Sequence, residues 1–109
     1  MSRHLLSLIH KGHKLTVVAG YDRPLRELFL HVLHDSEAPA QEESFVYDSL
    51  RDPGLDWTDI NTVADKLAAL GIEPPASLIE GIFLDQCFHA GNRVVEHHFD
   101  RPPAVLQAG

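Results

Sequence analysis

The chain has 109 residues, 44% of them hydrophobic, with a formal net charge of −7 at neutral pH. This is one domain's worth of sequence, and no run approaches the ~20 apolar residues that a membrane-spanning helix requires. The single cysteine excludes an internal disulfide. With Leu5–Ile9 too short for a signal-peptide core, the expected setting is cytoplasmic.

Residues 1–13 read as an N-terminal extension, in which the one element offered is a short helix through Leu5–Ile9. Lys14–Asp35 reads as two strands joined by the polar turn Gly20-Tyr21-Asp22-Arg23-Pro24. Proline biases the residue before it toward extended backbone, and glycine and aspartate favour the turn itself. Leu15–Ala19 is short and β-branched. Leu25–Leu33 is apolar at successive positions, and such a strand needs cover on both faces. Helices supply one cover, and the other is expected from a partner, with a homodimer through the sheet as one form of it.

Ser36–Glu43 is polar and proline-containing and reads as a loop. Ser44–Leu50 alternates as a third strand, and Asp52-Pro53-Gly54 makes the next turn. Asp59–Leu70 then places Ile60, Val63, Ala64, Leu67 and Ala68 on one helical face. Thr58 or Asp59 is its cap, and Gly71 is its stop. A second helix runs from near Pro75 to about Ala90, with Ile79, Ile82, Phe83, Gln86 and Ala90 on one face. Arg93–Phe99 alternates as a fourth strand, Arg101-Pro102-Pro103 breaks it, and residues 100–109 read as a flexible tail.

The order β-β-β-α-α-β predicts an α+β domain over residues 14–99. Its sheet is mainly antiparallel, of about four strands, with two helices on one face.

Charge is distributed unevenly. Residues 1–34 carry five Lys/Arg against two Asp/Glu, whereas residues 35–65 carry nine Asp/Glu against Arg51 alone. The acidic middle has two readings: a solvated surface that keeps the protein soluble, or a face presented to a basic partner. The second helix, Pro75 to Gly91, contains no Lys or Arg. A recognition helix gains most of its affinity from phosphate contacts, so direct nucleic-acid binding through the helices is excluded.

Candidate chemistry is sparse. Tyr21, Asp22, Arg23 and Arg26 form a polar cluster at the turn, and Asn92 and Arg93 approach it if the last strand returns beside the hairpin. Eight histidines suggest metal binding, but His31/His34 and His97/His98 fall on opposite faces of their strands. A composite site from His31, Glu96, His97 or His98 is the metal option that remains. Cys87, flanked by Phe83, Leu84 and Phe88, reads as a small core residue rather than a nucleophile. No phosphate loop, serine elbow or zincin signature occurs.

The segments AGYDRPL (Ala19–Leu25) and GNRVVEHH (Gly91–His98), with LGIEPPASLIE between them, resemble a group of small bacterial proteins without a known activity. The likeness covers about Lys14–His98. It implies a fold-sized unit and supplies no catalytic residues or cofactor.

The expectation is therefore a non-catalytic regulator, adaptor or inhibitor that binds a protein and uses no cofactor. Its contacts are expected from Tyr21, Asp22, Arg23, Arg26, Asn92 and Arg93, and from the acidic set Glu42, Glu43, Asp48 and Asp52. The alternative is a small-ligand or metal site between the hairpin turn and the last strand.

Overall fold

The computed structural model describes residues 1–34 and 45–108. Its elements are β1 (Ser2–His10), β2 (His13–Asp22), β3 (Glu27–His34), β4 (Phe45–Asp48), a 3₁₀ turn at Ser49–Arg51, α1 (Ile60–Ala69), α2 (Ala76–Cys87), β5 (Arg93–His97) and β6 (Ala104–Ala108). The α+β class holds. The sheet has six strands rather than about four, in the order β4-β3-β2-β1-β5-β6. It is mixed, because β5 runs parallel to β1 while the other neighbours are antiparallel.

Both additional strands come from the ends of the chain. Residues 1–13 are not an extension and hold no helix: Ser2–His10 is an inner strand, paired along its length with β2 and at its start with β5. Its inward positions are Ser2, His4 and Leu6, all buried, and Leu8, packed against the core. The first two are polar, which hides the period-2 alternation that marks a half-buried strand. Lys11 and Gly12, with φ of 51° and 80°, make the tight turn into β2, the left-handed geometry that matches the twist of a hairpin. The tail is likewise no free end. Ala104–Ala108 closes the sheet against β5, with a register shift between Val94 and Val95.

One face of the sheet and the two helices enclose the core. Leu6, Leu15, Val17, Ala19, Tyr21, Leu28, Leu30 and Val32 project from the strands onto Val63 and Leu67 of α1 and Leu78 and Ile82 of α2. Trp57 closes one end, its indole N–H donating to the Asp52 carbonyl at 2.9 Å. The Asp59 carboxylate accepts from the Asn61 N–H at 2.9 Å and starts α1, the ordinary work of an N-cap. At the other end, the Ile72 N–H reaches back to the Leu67 carbonyl at 2.9 Å. On the opposite side of the sheet Leu5, Val18, Leu33 and Val94 are half-buried and Phe29 is buried, and no helix among the described residues packs there.

α2 differs from expectation in the face it buries. Leu78, Ile82 and Asp85 point inward, a spacing of i, i+4, i+7 that defines one stripe. Phe83 and Leu84 face outward. The helix begins at Ala76 with Pro75 as its cap residue and ends at Cys87. No described helix is long and apolar enough to cross a membrane.

Candidate functional site

Five side chains join α2 to the two strands beneath it. His97 Nδ1 lies 2.9 Å from Ser77 Oγ, and His97 Nε2 lies 2.7 Å from His4 Nδ1. His4 Nε2 is 2.6 Å from Asp85 Oδ2. Asp85 Oδ1 in turn accepts from Arg93 Nη1 at 2.9 Å. His4, Asp85 and His97 are each at most 3% exposed, while Ser77 is half-buried.

The carboxylate fixes the direction of every bond. An ionised Asp85 can only accept, so His4 carries its proton on Nε2 and offers a lone pair at Nδ1. His97 must then donate from Nε2, and its Nδ1 accepts from the Ser77 hydroxyl. The chain runs Ser77 to His97 to His4 to Asp85, with Arg93 holding the far carboxylate oxygen. Gly81 lets the helix come this close: a Cβ there would sit 2.8 Å from His4 Cε1.

A hydroxyl, an imidazole and a carboxylate in sequence are the parts of an activated nucleophile, but the electrostatics disfavour that use. Burial, aided by the neighbouring His4, His98 and Arg93, pushes His97 down to about 4. Burial also lowers His4, against the opposing pull of Asp85. A general base works best near the operating pH, and at neutral pH His97 is a weak base. The chain is well suited instead to pinning α2 on β1 and β5. Each buried polar atom in it meets a partner, which is the condition for burying such a group cheaply.

The hairpin turn and the residues after α2 do come together. The Tyr21 hydroxyl lies 3.0 Å from His89 Nδ1, but the Arg93 strand returns beside β1 rather than the hairpin, and Asn92 Oδ1 accepts from the Met1 amino group at 3.2 Å. Tyr21 is nevertheless 1% exposed, so its contact is internal. Arg93 is committed to Asp85. The Asp22 carboxylate accepts from the Leu25 N–H at 3.3 Å, while Arg23 and Arg26 are exposed.

Asp48 and Asp52, the described members of the acidic set, each hold a neighbour within the chain. Asp48 caps the 3₁₀ turn through the Leu50 N–H at 2.9 Å and lies 3.4 Å from His31. Asp52 accepts from the Tyr47 hydroxyl at 2.8 Å and pairs with Lys66 at 3.5 Å. Glu42 and Glu43 lie outside the described residues.

The composite metal set is dispersed. His31 is on β3, separated from β5 by β2 and β1, about 14 Å at ordinary strand spacing. Glu96 and His98 share the open face, 3.2 Å apart, whereas His97 points to the helical side. Among the described residues no group of three His, Cys, Asp or Glu could hold a metal ion. Glu96, His97 and His98 do line a cleft of about 370 Å³ with Ser7, Phe99 and Asp100.

The outer face of α2 is the surface that sequence reading missed. Phe83, Leu84 and Phe88 are 45%, 43% and 78% exposed, and Cys87 among them is exposed rather than a core residue. The Gln86 side chain donates to the Thr58 carbonyl at 2.6 Å, which brings the acidic entry to α1, Asp56–Asp59, alongside this stripe. No local signal marked this face, because the inward stripe of Leu78 and Ile82 includes Asp85, and a carboxylate ordinarily reads as solvent-facing.

No protein-family model, curated protein or solved structure matches this chain.

Proposed function

We propose that this protein works by binding another protein, as a regulator, adaptor or inhibitor without catalysis of its own. The observation that carries the reading is the outer face of α2, where Phe83, Leu84 and Phe88 stand in solvent on a helix whose inner face is already packed. An apolar helix face rimmed by polar residues marks an interaction surface. The test is a photo-crosslinking residue placed at position 88 in the living source organism, with position 11 on the β1–β2 turn as the distant control. A discrete protein adduct at 88 and none at 11 is expected. Adducts at neither position, or at 11 alone, overturn the assignment.

One observation favours a second reading, a small-ligand site at the end of β5. The cleft at Ser7, Glu96, His98 and Phe99, about 370 Å³, lies within the range of small-molecule pockets, roughly 300–1,000 Å³. A fragment screen by NMR would place shifts at Glu96 and His98. Shifts scattered over the surface would remove this reading.

A further inference from the structure

We infer that the occupant of the outer face of α2 is a basic amphipathic helical segment of another protein, an inference that rests on the protein-binding reading above. The first argument is shape. Ala76, Glu80, Phe83, Leu84 and Cys87 are all exposed and spaced at i, i+4, i+7, i+8 and i+11, a single ridge along the helix that the exposed C-cap residue Phe88 continues. At 1.5 Å per residue this ridge is about 18 Å long. A three-turn helix with apolar anchors at i, i+3, i+4 and i+7 covers such a ridge, which is the usual way one helix docks on an apolar surface.

The second argument is charge. From Asp52 to Asn92, the segment that builds the helical layer, five exposed acidic residues, Asp56, Asp59, Asp65, Glu73 and Glu80, stand with the half-buried Asp52 against one basic residue, Lys66; the buried Asp85 is already paired with Arg93. Lys66 is already engaged, 3.5 Å from Asp52 and above the Tyr47 ring. Glu80 lies on the ridge itself, and Asp56 and Asp59, both exposed, sit on the flank that Gln86 ties to α2. A cationic helix therefore meets opposite charge on the ridge and along one flank, and such complementarity steers encounter and selects the partner.

The same facts count against a second copy of the chain. A copy brings an identical acidic layer, and like charges facing each other are disfavoured. The area is also too small. Three half-exposed or exposed large side chains offer roughly 300 Å² of apolar surface, whereas a standard stable interface buries about 800 Å² on each partner. A short helix held by a few anchors and several ion pairs needs less.

The test is fluorescence anisotropy with a labelled 14-residue peptide of leucine and lysine only, its leucines at helical spacing. A scrambled peptide of equal composition and a leucine/glutamate peptide of the same pattern serve as controls. Binding to the Leu/Lys peptide at least tenfold tighter than to either control is expected, weakening as salt is raised. A Phe83→Ser/Phe88→Ser variant, with its fold checked by circular dichroism, should lose at least tenfold. Equal affinity for the scrambled peptide, or no loss in the variant, overturns the inference. Analytical ultracentrifugation separates the two levels of the argument. A concentration-dependent dimer dissolved by Phe88→Ser overturns the basic-helix occupant and leaves the surface a protein-binding one. Failure of the crosslink at position 88 overturns the protein-binding reading itself.

Discussion

His97 Nε2 donates to His4 Nδ1 across 2.7 Å, joining two residues 93 positions apart. The two imidazoles lie on neighbouring parallel strands, their rings 5.0 Å apart and inclined at 31°. Two uncharged rings can share one proton in this way, whereas two imidazolium rings would repel at that distance. The contact is therefore intact only while the pair carries at most one extra proton.

Stability should depend on pH in a defined direction. Both rings are held below the ordinary histidine value of 6.5, His97 at about 4. Below 6.5 the unfolded chain binds protons that the folded chain refuses, so stability falls as the pH drops from 6.5 toward 4. The loss is complete only near pH 4, where the folded His97 itself takes up a proton. Above pH 6.5 these two groups contribute no slope. Urea midpoints measured from pH 7.5 to 4.5 should follow this course and flatten in a His97→Gln variant. A profile identical in both proteins would show that His97 is not the titrating group.

Asp85→Ala should be among the most damaging single changes in the chain. It leaves His4 Nε2 and the Arg93 guanidinium without their shared acceptor, and removing one partner of a buried ion pair costs about 3–5 kcal/mol. Combining it with His4→Phe should recover part of that loss, because the orphaned donor is gone. Chemical denaturation of the two single variants and the double variant reads the coupling directly.

At Gly81 two effects oppose each other. Alanine is favoured over glycine in a helix interior by about 1 kcal/mol, but its Cβ would lie 2.8 Å from His4 Cε1. Overpacking a filled site costs about 1–3 kcal/mol, so Gly81→Ala is expected to destabilise. An accompanying change in the His4 ¹⁵N shifts would place the strain at the imidazole. A stabilised variant would mean that α2 has room to move away from the sheet.

Phe88→Ser should leave the fold's stability within about 0.5 kcal/mol, since Phe88 is 78% exposed and lies past the end of α2. Binding to a surface that includes this residue should fall while the thermal midpoint holds. Leu78→Ala, one helical face away and fully buried, should lower stability by about 2–5 kcal/mol. The contrast between these two variants distinguishes a docking face from a packing face.

How much of the molecule was legible depended on how local its cause was. α1 was readable because its cap at Asp59, its apolar period and its stop at Gly71 all lie within a dozen residues. The β2–β3 hairpin was readable in kind, though both strands run to different ends than the apolar runs suggested. β1 was missed because two of its inward residues are the polar Ser2 and His4, so that apolar patterning failed where the polar chain begins. α2 was found, but the face it buries was misjudged. Its inward stripe contains Asp85, and an isolated carboxylate reads as solvent-facing unless its partners are known.

Local patterning alone determined the α+β class, the two helices and the uneven placement of charge, because hydrophobic period, capping and charge are properties of neighbours along the chain. Tertiary structure decided the rest: the parallel pairing of β1 with β5, the return of the C-terminal residues as β6, and the Ser77–His97–His4–Asp85–Arg93 chain. The reason is physical. A buried polar residue is tolerated only beside its partner, and here the partners lie up to 93 residues apart, beyond the reach of any local pattern.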